Sequence, residues 1–314
     1  GFYYPVDTAI GEDERLYTVS RSLDGDPRGI RVTIYDLESE YFGTFGEYGE
    51  DDGQLIWPTG IARDSQGHTY VSDEFTNRVT VFDGDGGFSH SWGKTGTGEG
   101  EMDGPSAIAL DSEENLLVVD HHNHRIQRYS PNGTYLSEFG SHGSAKGELD
   151  LPWGITVSST GEIYVADWRN DRIQRFSAEG EFAASYGESG RGDGELFRPS
   201  SVAVDPDGFV YVADWGNERI QIFDPDGGFV QNLRGESTDS KWADAFLEIN
   251  VEEAAARGRS NLEPDIEFFN DDPHEESSHI EKYFWAPTSV KLDSEGRMYV
   301  TESNRHRVQI YQRV

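Results

Sequence analysis

The sequence contains no cysteine. That absence removes disulfides, thiol nucleophiles and thiolate metal sites, without fixing the compartment. Lysine is scarce as well, with five residues beside 59 Asp and Glu, and the formal net charge is -33. Such a surface repels nucleic acid and anionic membranes and attracts cations. Solubility and life in high salt would both account for the acidity. No run approaches the roughly 20 apolar residues that a spanning helix needs, so no membrane span is expected. Phosphate loops, dinucleotide fingerprints, nucleophile elbows and zincin patterns are all missing. No leader precedes Gly1, which fits either a cytoplasmic chain or a removed signal. The compartment stays open between these, with an extracytoplasmic setting favoured and high salt as one account of the acidity.

What the chain does have is a period. Pro58, Pro105, Pro152 and Pro199 are each 47 residues apart, and Asp73, Asp120, Asp167 and Asp214 keep the same step, as do Arg78, Arg125, Arg172 and Arg219. Between these markers lie strand-sized alternating runs bounded by glycine turns, such as Gly154 to Val157 and Ile163 to Ala166. A fixed period of this length signals one supersecondary unit stacked on its copies, and the short strands favour propeller blades over a helical solenoid. The pattern predicts an all-β, six-bladed β-propeller of four-stranded antiparallel blades over residues 1–314. The last blade, from Trp285, stops after three strands unless another segment supplies the fourth. Residues 234–284 break the period as one long, partly helical insertion. Within it, Lys241 to Arg257 reads as one helix and Asn261 to Glu281 as acidic loop. Blade one begins directly after Phe2-Tyr3-Tyr4, so the ring is expected to close by blade one packing on blade six.

Four antiparallel strands put the opening of the first, the end of the second and the insertion on one face, here called the top. That face should gather Trp57, Trp153, Trp168, Trp215 and Trp285 with Arg169 and Arg198, under a lid. An aromatic mouth on a rigid scaffold suits a protein, peptide or small-molecule ligand. The repeated Asp and Arg read as scaffold, because a chemical residue should break the repeat. His121 and His122 do break it, and with His124 they form a candidate zinc site, with His274 or His279 as outside help. The acidic stretch Glu263 to Glu281, including Asp265, Asp271 and Asp272, is a candidate calcium site.

Segments such as Tyr164-Val165-Ala166-Asp167-Trp168-Arg169-Asn170-Asp171-Arg172-Ile173-Gln174 and Val118 to Gln127 resemble NHL repeats. The resemblance covers nearly all of the chain outside 234–284 and implies a six-bladed propeller. The family includes protein-binding, RNA-binding and sensor modules and amidating lyases. RNA-binding members rely on a basic face, which this chain lacks. The amidating lyases hold zinc with histidines, one of which follows an opening proline. The matching residues here are Thr59, Ser106, Trp153, Ser200 and Thr288, so that activity is not expected. The leading expectation is a non-catalytic binding propeller engaging its ligand at the top face. The alternatives are a metal-assisted lyase or hydrolase in the channel mouth, and a structural subunit that oligomerises through the insertion.

Overall fold

A computed structural model of the chain describes residues 2–11, 14–22, 27–238, 241–263 and 272–312. Five four-stranded sheets and one three-stranded sheet form the ring. Each runs outward in chain order, so the strand opened by the repeated proline is innermost. The second strands are buried along their whole length, as in Ile163–Asp167 and Val210–Asp214. The outer strands alternate or lie open, as in Phe88–Trp92. This gradient gives the second strands their continuous apolar runs.

The core lies between blades rather than within them. Tyr164, Ala166 and Ile173 of blade four pack with Val202, Val212 and Phe223 of blade five. Leu16 and Tyr35 of blade one pack with Tyr299 of blade six. Each such side chain contributes on the order of 1.5–3 kcal/mol. The ring closes by blade one meeting blade six, as the sequence predicts. Thr8 Oγ1 lies 2.9 Å from Thr301 Oγ1, and Ser289 Oγ donates to Asp7 at 2.6 Å.

The repeated carboxylate is a buried anchor. Asp167 accepts from the Asp150 N–H at 2.7 Å, Asn170 Nδ2, Arg172 Nε at 2.8 Å and Gln174 Nε2 at 3.0 Å. Arg172 then directs three further donors to the carbonyls of Ser144, Ala145 and Glu148, which pins the loop arriving from the previous blade. Asp120 and Asp214 repeat the arrangement, and Glu302 substitutes in blade six with Trp285 N–H, Arg307 and Gln309. Blade one has Ser20 at this position, and its hydroxyl is buried without a partner among the described residues.

A second repeat couples neighbouring blades. The residue before each repeated arginine is left-handed, and so is the residue before the next opening proline. The first accepts a hydrogen bond from the N–H of the second. Gly104 donates to Asn77, Leu151 to His124 Nδ1, Arg198 to Asp171 and Ala286 to Glu218. Tyr4 donates to His306 Nδ1 at 2.9 Å, which carries the chain of latches across the ring closure. A side chain with an acceptor is therefore required at each site, and Asn, His, Asp and Glu all satisfy it.

Among its described residues the insertion holds three helices, α1 (Lys241–Ile249), α2 (Val251–Arg257) and α3 (Pro273–His279). The single helix expected over 241–257 breaks at Asn250, whose ψ of 71° leaves the helical range. Part of the expected acidic loop is helix α3. Asp272 caps it through the His274 N–H, and Pro273 occupies the first turn, where no intrahelical N–H is needed. Helix α3 docks on blades five and six. Arg234 pairs with Glu276 at 2.9 Å, and Arg305 donates to the carbonyls of Ser277 and Ile280. Among the described residues blade six has no fourth strand, and its edge strand Arg307–Tyr311 borders a groove of about 770 Å³ shared with Glu236 and Ser237. No described helix is long and apolar enough to cross a membrane.

Candidate functional site

Strand register defines the mouth. Pro5 pairs with Ser20, Pro58 with Asp73, Pro105 with Asp120, Pro199 with Asp214 and Pro287 with Glu302. The residues immediately after these positions form two concentric rings at the top. The inner ring is Val6, Thr59, Ser106, Trp153, Ser200 and Thr288, in which Trp153 is the single large side chain. The outer ring is Arg21, Glu74, His121, Trp168, Trp215 and Ser303. The outer ring is divided: blades four and five supply indoles, while the others supply polar or titratable groups.

Two adjoining chambers occupy the mouth. The first, of about 230 Å³, is lined by His121, Trp153, Trp168, Ser200, Trp215 and Thr288. The second, of about 240 Å³, includes Arg21, Ser22, Thr59, Trp153, Thr288 and Ser303. They share Trp153 and Thr288. Together they reach the lower part of the range of about 300–1,000 Å³ typical of small-molecule sites.

His121 is the titratable wall of the first chamber. Its ring is buried and packs edge-on against Trp153, with centroids 5.0 Å apart. Its Nδ1 lies 2.9 Å from the Pro152 carbonyl. A carbonyl only accepts, so Nδ1 carries the proton and Nε2 keeps its lone pair. Burial lowers its pKa below the ordinary 6.5, and the ring is therefore neutral at neutral pH. The result is an imidazole of fixed tautomer beside an aromatic cavity.

The histidines expected to form one metal site point three ways. His121 turns to Pro152, His122 Nδ1 pairs with Asp103 Oδ1 at 3.2 Å, and His124 Nδ1 accepts the Leu151 latch bond. His124 belongs to a different group, with His142 and Asp150, whose ligand atoms all lie within 4.8 Å of one another. Asp150 Oδ1 is 3.4 Å from His124 Nδ1 and 3.7 Å from His142 Nε2. Two nitrogens and one carboxylate suit a borderline divalent cation such as zinc better than calcium. The latch bond falls on His124 Nδ1, the nitrogen 3.4 Å from Asp150, so a cation taking that atom would displace the Leu151 N–H. Of the candidate calcium stretch, Asp265 and Asp271 lie outside the described residues. Asp272 caps α3, Glu263 pairs with Lys282, and Glu281 pairs with Arg257.

The seven expected ligand residues separate. Trp153, Trp168 and Trp215 share the first chamber. Arg198 backs it, its guanidinium 4.2 Å from the Trp168 ring. Arg169 is exposed, and Trp57 is 48% exposed beside Arg21. Trp285 is engaged by helix α3: its indole N–H donates to His274 Nε2 at 3.2 Å, and His274 Nδ1 meets Glu218 Oε1 at 2.5 Å. The insertion thus brings a histidine to the top face, but to Glu218 rather than to His121. Arg21 and Ser22 are the lining residues that the sequence reading misses. The 47-residue step does not reach blade one, whose longer loop hides the equivalence of Arg21 with His121.

Comparison with known proteins agrees with this architecture. The NHL repeat family matches residues 149–176, 198–223 and 284–311, and a family described as 6-bladed beta-propeller matches residues 54–141. Among solved structures, the chain is similar to a streptogramin B lyase at 13% identity and TM-score 0.59, covering 100% of this chain and 84% of that one. It is similar to a catalytically inactive histidine-to-alanine variant of virginiamycin B lyase from Staphylococcus aureus with quinupristin, at 13% identity and TM-score 0.59, covering 99% and 95%. A Bacteroides thetaiotaomicron VPI-5482 protein of unknown function is similar at 19% identity and TM-score 0.62, covering 99% and 70%. No curated protein sequence matches the chain. At these identities the structural likeness concerns the fold. The non-catalytic expectation is nevertheless overturned. Lyases recur among the structural neighbours and the rim carries a His–His–Asp group, which together favour the catalytic alternative.

Proposed function

Since the chain is an NHL-repeat six-bladed propeller, we propose that it is an enzyme of the lyase or hydrolase class, working in the top mouth with His121 as general base. The observation that carries this reading is the tautomer of His121. The Pro152 carbonyl holds the proton on Nδ1, which leaves Nε2 basic beside a chamber walled by three tryptophans. In a lyase, Nε2 takes a proton from substrate carbon while the bond to the adjacent leaving group breaks. In a hydrolase, it takes the proton from water. The indoles of Trp153, Trp168 and Trp215 hold a flat apolar part of the substrate and exclude water from the base.

The lyase reading comes first, because proteins titled as lyases share this fold over nearly the whole chain. His124, His142 and Asp150 would hold a divalent cation at the rim between blades three and four. Such a cation would supply Lewis-acid polarisation of an oxygen reaching over that rim. Helix α3 leans on the top face through His274, and we assign it the part of a lid.

The test is turnover of quinupristin and a panel of esters carrying aromatic groups, followed by mass spectrometry. A lyase gives products without added water, whereas a hydrolase adds the mass of one water. His121→Ala should abolish turnover with the fold intact. Full activity in His121→Ala, or turnover of no member of the panel, would remove the proposal.

A further inference from the structure

The second chamber holds polar groups that the general base leaves unused. Arg21 sits in the outer ring with its guanidinium 6.0 Å from the Trp153 ring and 5.2 Å from the Trp57 ring. Its Nε donates to the Pro58 carbonyl at 2.8 Å, and one terminal nitrogen donates to Glu74 at 2.9 Å. A guanidinium has five N–H donors in a fixed fork, so these two bonds leave donor capacity beside the chamber it lines. The adjacent Ser22 lines the same chamber, and its hydroxyl oxygen is buried with no hydrogen-bond partner among the described residues. A buried polar group without a partner costs on the order of 1–3 kcal/mol. An unpartnered hydroxyl and a guanidinium with donors to spare, on consecutive residues of one cavity, describe a place for an acceptor atom.

Charge decides which acceptor. Glu74 already balances Arg21 at 2.9 Å, and the Asp73 carboxylate lies close enough to act on the same guanidinium. A ligand carboxylate would enter against both anions in a protein of net charge -33. A neutral carbonyl oxygen accepts the same two hydrogen bonds without that repulsion. Trp153 stands between the chambers, against His121 on one side and near Arg21 on the other.

We propose that Arg21 and Ser22 form a carbonyl-oxygen subsite opposite the tryptophan wall. The mouth then selects a neutral amide or ester whose planar apolar group lies in the first chamber. The assignment rests on the mouth being the catalytic site, but its test reads binding alone.

The probes are N-acetyl-L-phenylalaninamide and N-acetyl-L-phenylalanine, alike except for a neutral amide against a carboxylate. Binding is followed by NMR through the indole N–H resonances of the full chain. The amide should shift the Trp153 and Trp168 signals and bind more tightly than the acid. Ser22→Ala should weaken amide binding roughly tenfold, the worth of one hydrogen bond. Arg21→Lys, which keeps the charge facing Glu74 but loses the fork, should weaken it at least as much. Acid binding equal to or tighter than amide binding would overturn the subsite, as would no binding of either probe or wild-type amide affinity in Ser22→Ala. His121→Ala should retain the preference for the amide. Failure of the base and failure of the subsite therefore give different results.

Discussion

Replacing Glu218 with glutamine should reverse part of the pH dependence of stability. The Glu218 side chain is 1% exposed, with one oxygen on the Ala286 latch N–H and the other on His274 of helix α3. Burial raises its pKa from 4.5 to about 7, against the opposing pull of His274 and Arg234. A carboxyl raised in this way is harder to ionise folded than unfolded. The stability it contributes is present below the unfolded value of 4.5 and is lost as pH rises through about 7. At about 1.4 kcal/mol for each tenfold change in acid strength, the loss amounts to roughly 3 kcal/mol. Glutamine keeps an acceptor for the latch and carries no charge to desolvate. Wild type and Glu218→Gln should be closest in stability below pH 4.5 and separate as pH rises, with the variant gaining up to roughly 3 kcal/mol above pH 7. Urea midpoints across this range at constant ionic strength provide the assay. A difference that stays flat with pH, or wild type gaining on the variant as pH rises, would refute the reasoning.

Three further outcomes follow from the same geometry. Asp167→Ala leaves Arg172, Gln174 and the Asp150 N–H facing a void and should cost about 3–5 kcal/mol by denaturant unfolding. His306→Ala removes the acceptor for the Tyr4 N–H at the ring closure and should cost about 1–3 kcal/mol. His306→Asn should recover most of that loss, because Asn77 fills the same role in blade two. Zinc titrated into the full chain by calorimetry should bind at the rim and lose its affinity in His142→Ala, whereas His122→Ala should leave it unchanged.

Much of this architecture is written in residues that repeat. The prolines, aspartates and arginines at a 47-residue step fix the blades, their strand order and the face that carries the loops, which is why Trp153, Trp168 and Trp215 could be brought together without coordinates. The chemistry was harder to read, because it depends on where a side chain turns after the backbone has placed it. His121, His122 and His124 are near neighbours in sequence, yet a short 3-10 turn ending at the left-handed His124 sends them to three partners. The latch residues Asn77, His124, Asp171, Glu218 and His306 share a position and an acceptor, but their types differ, so identity alone hides the pattern. Alignment by hydrogen-bonding capacity would have found it. Asp272-Pro273 followed by Glu275 and Glu276 is a helix start inside a segment whose acidity suggested loop. Arg21 and Ser22 escaped because blade one lacks the repeated aspartate that marks their place.

The central claim is that His121 is a neutral base of fixed tautomer in the mouth of the ring. Long-range proton–nitrogen NMR of the imidazole, recorded through a pH titration, measures both properties in one experiment. The account predicts a proton on Nδ1, a lone pair on Nε2, and titration below the ordinary histidine value of 6.5. A proton on Nε2 at neutral pH, or titration at or above that value, would contradict it.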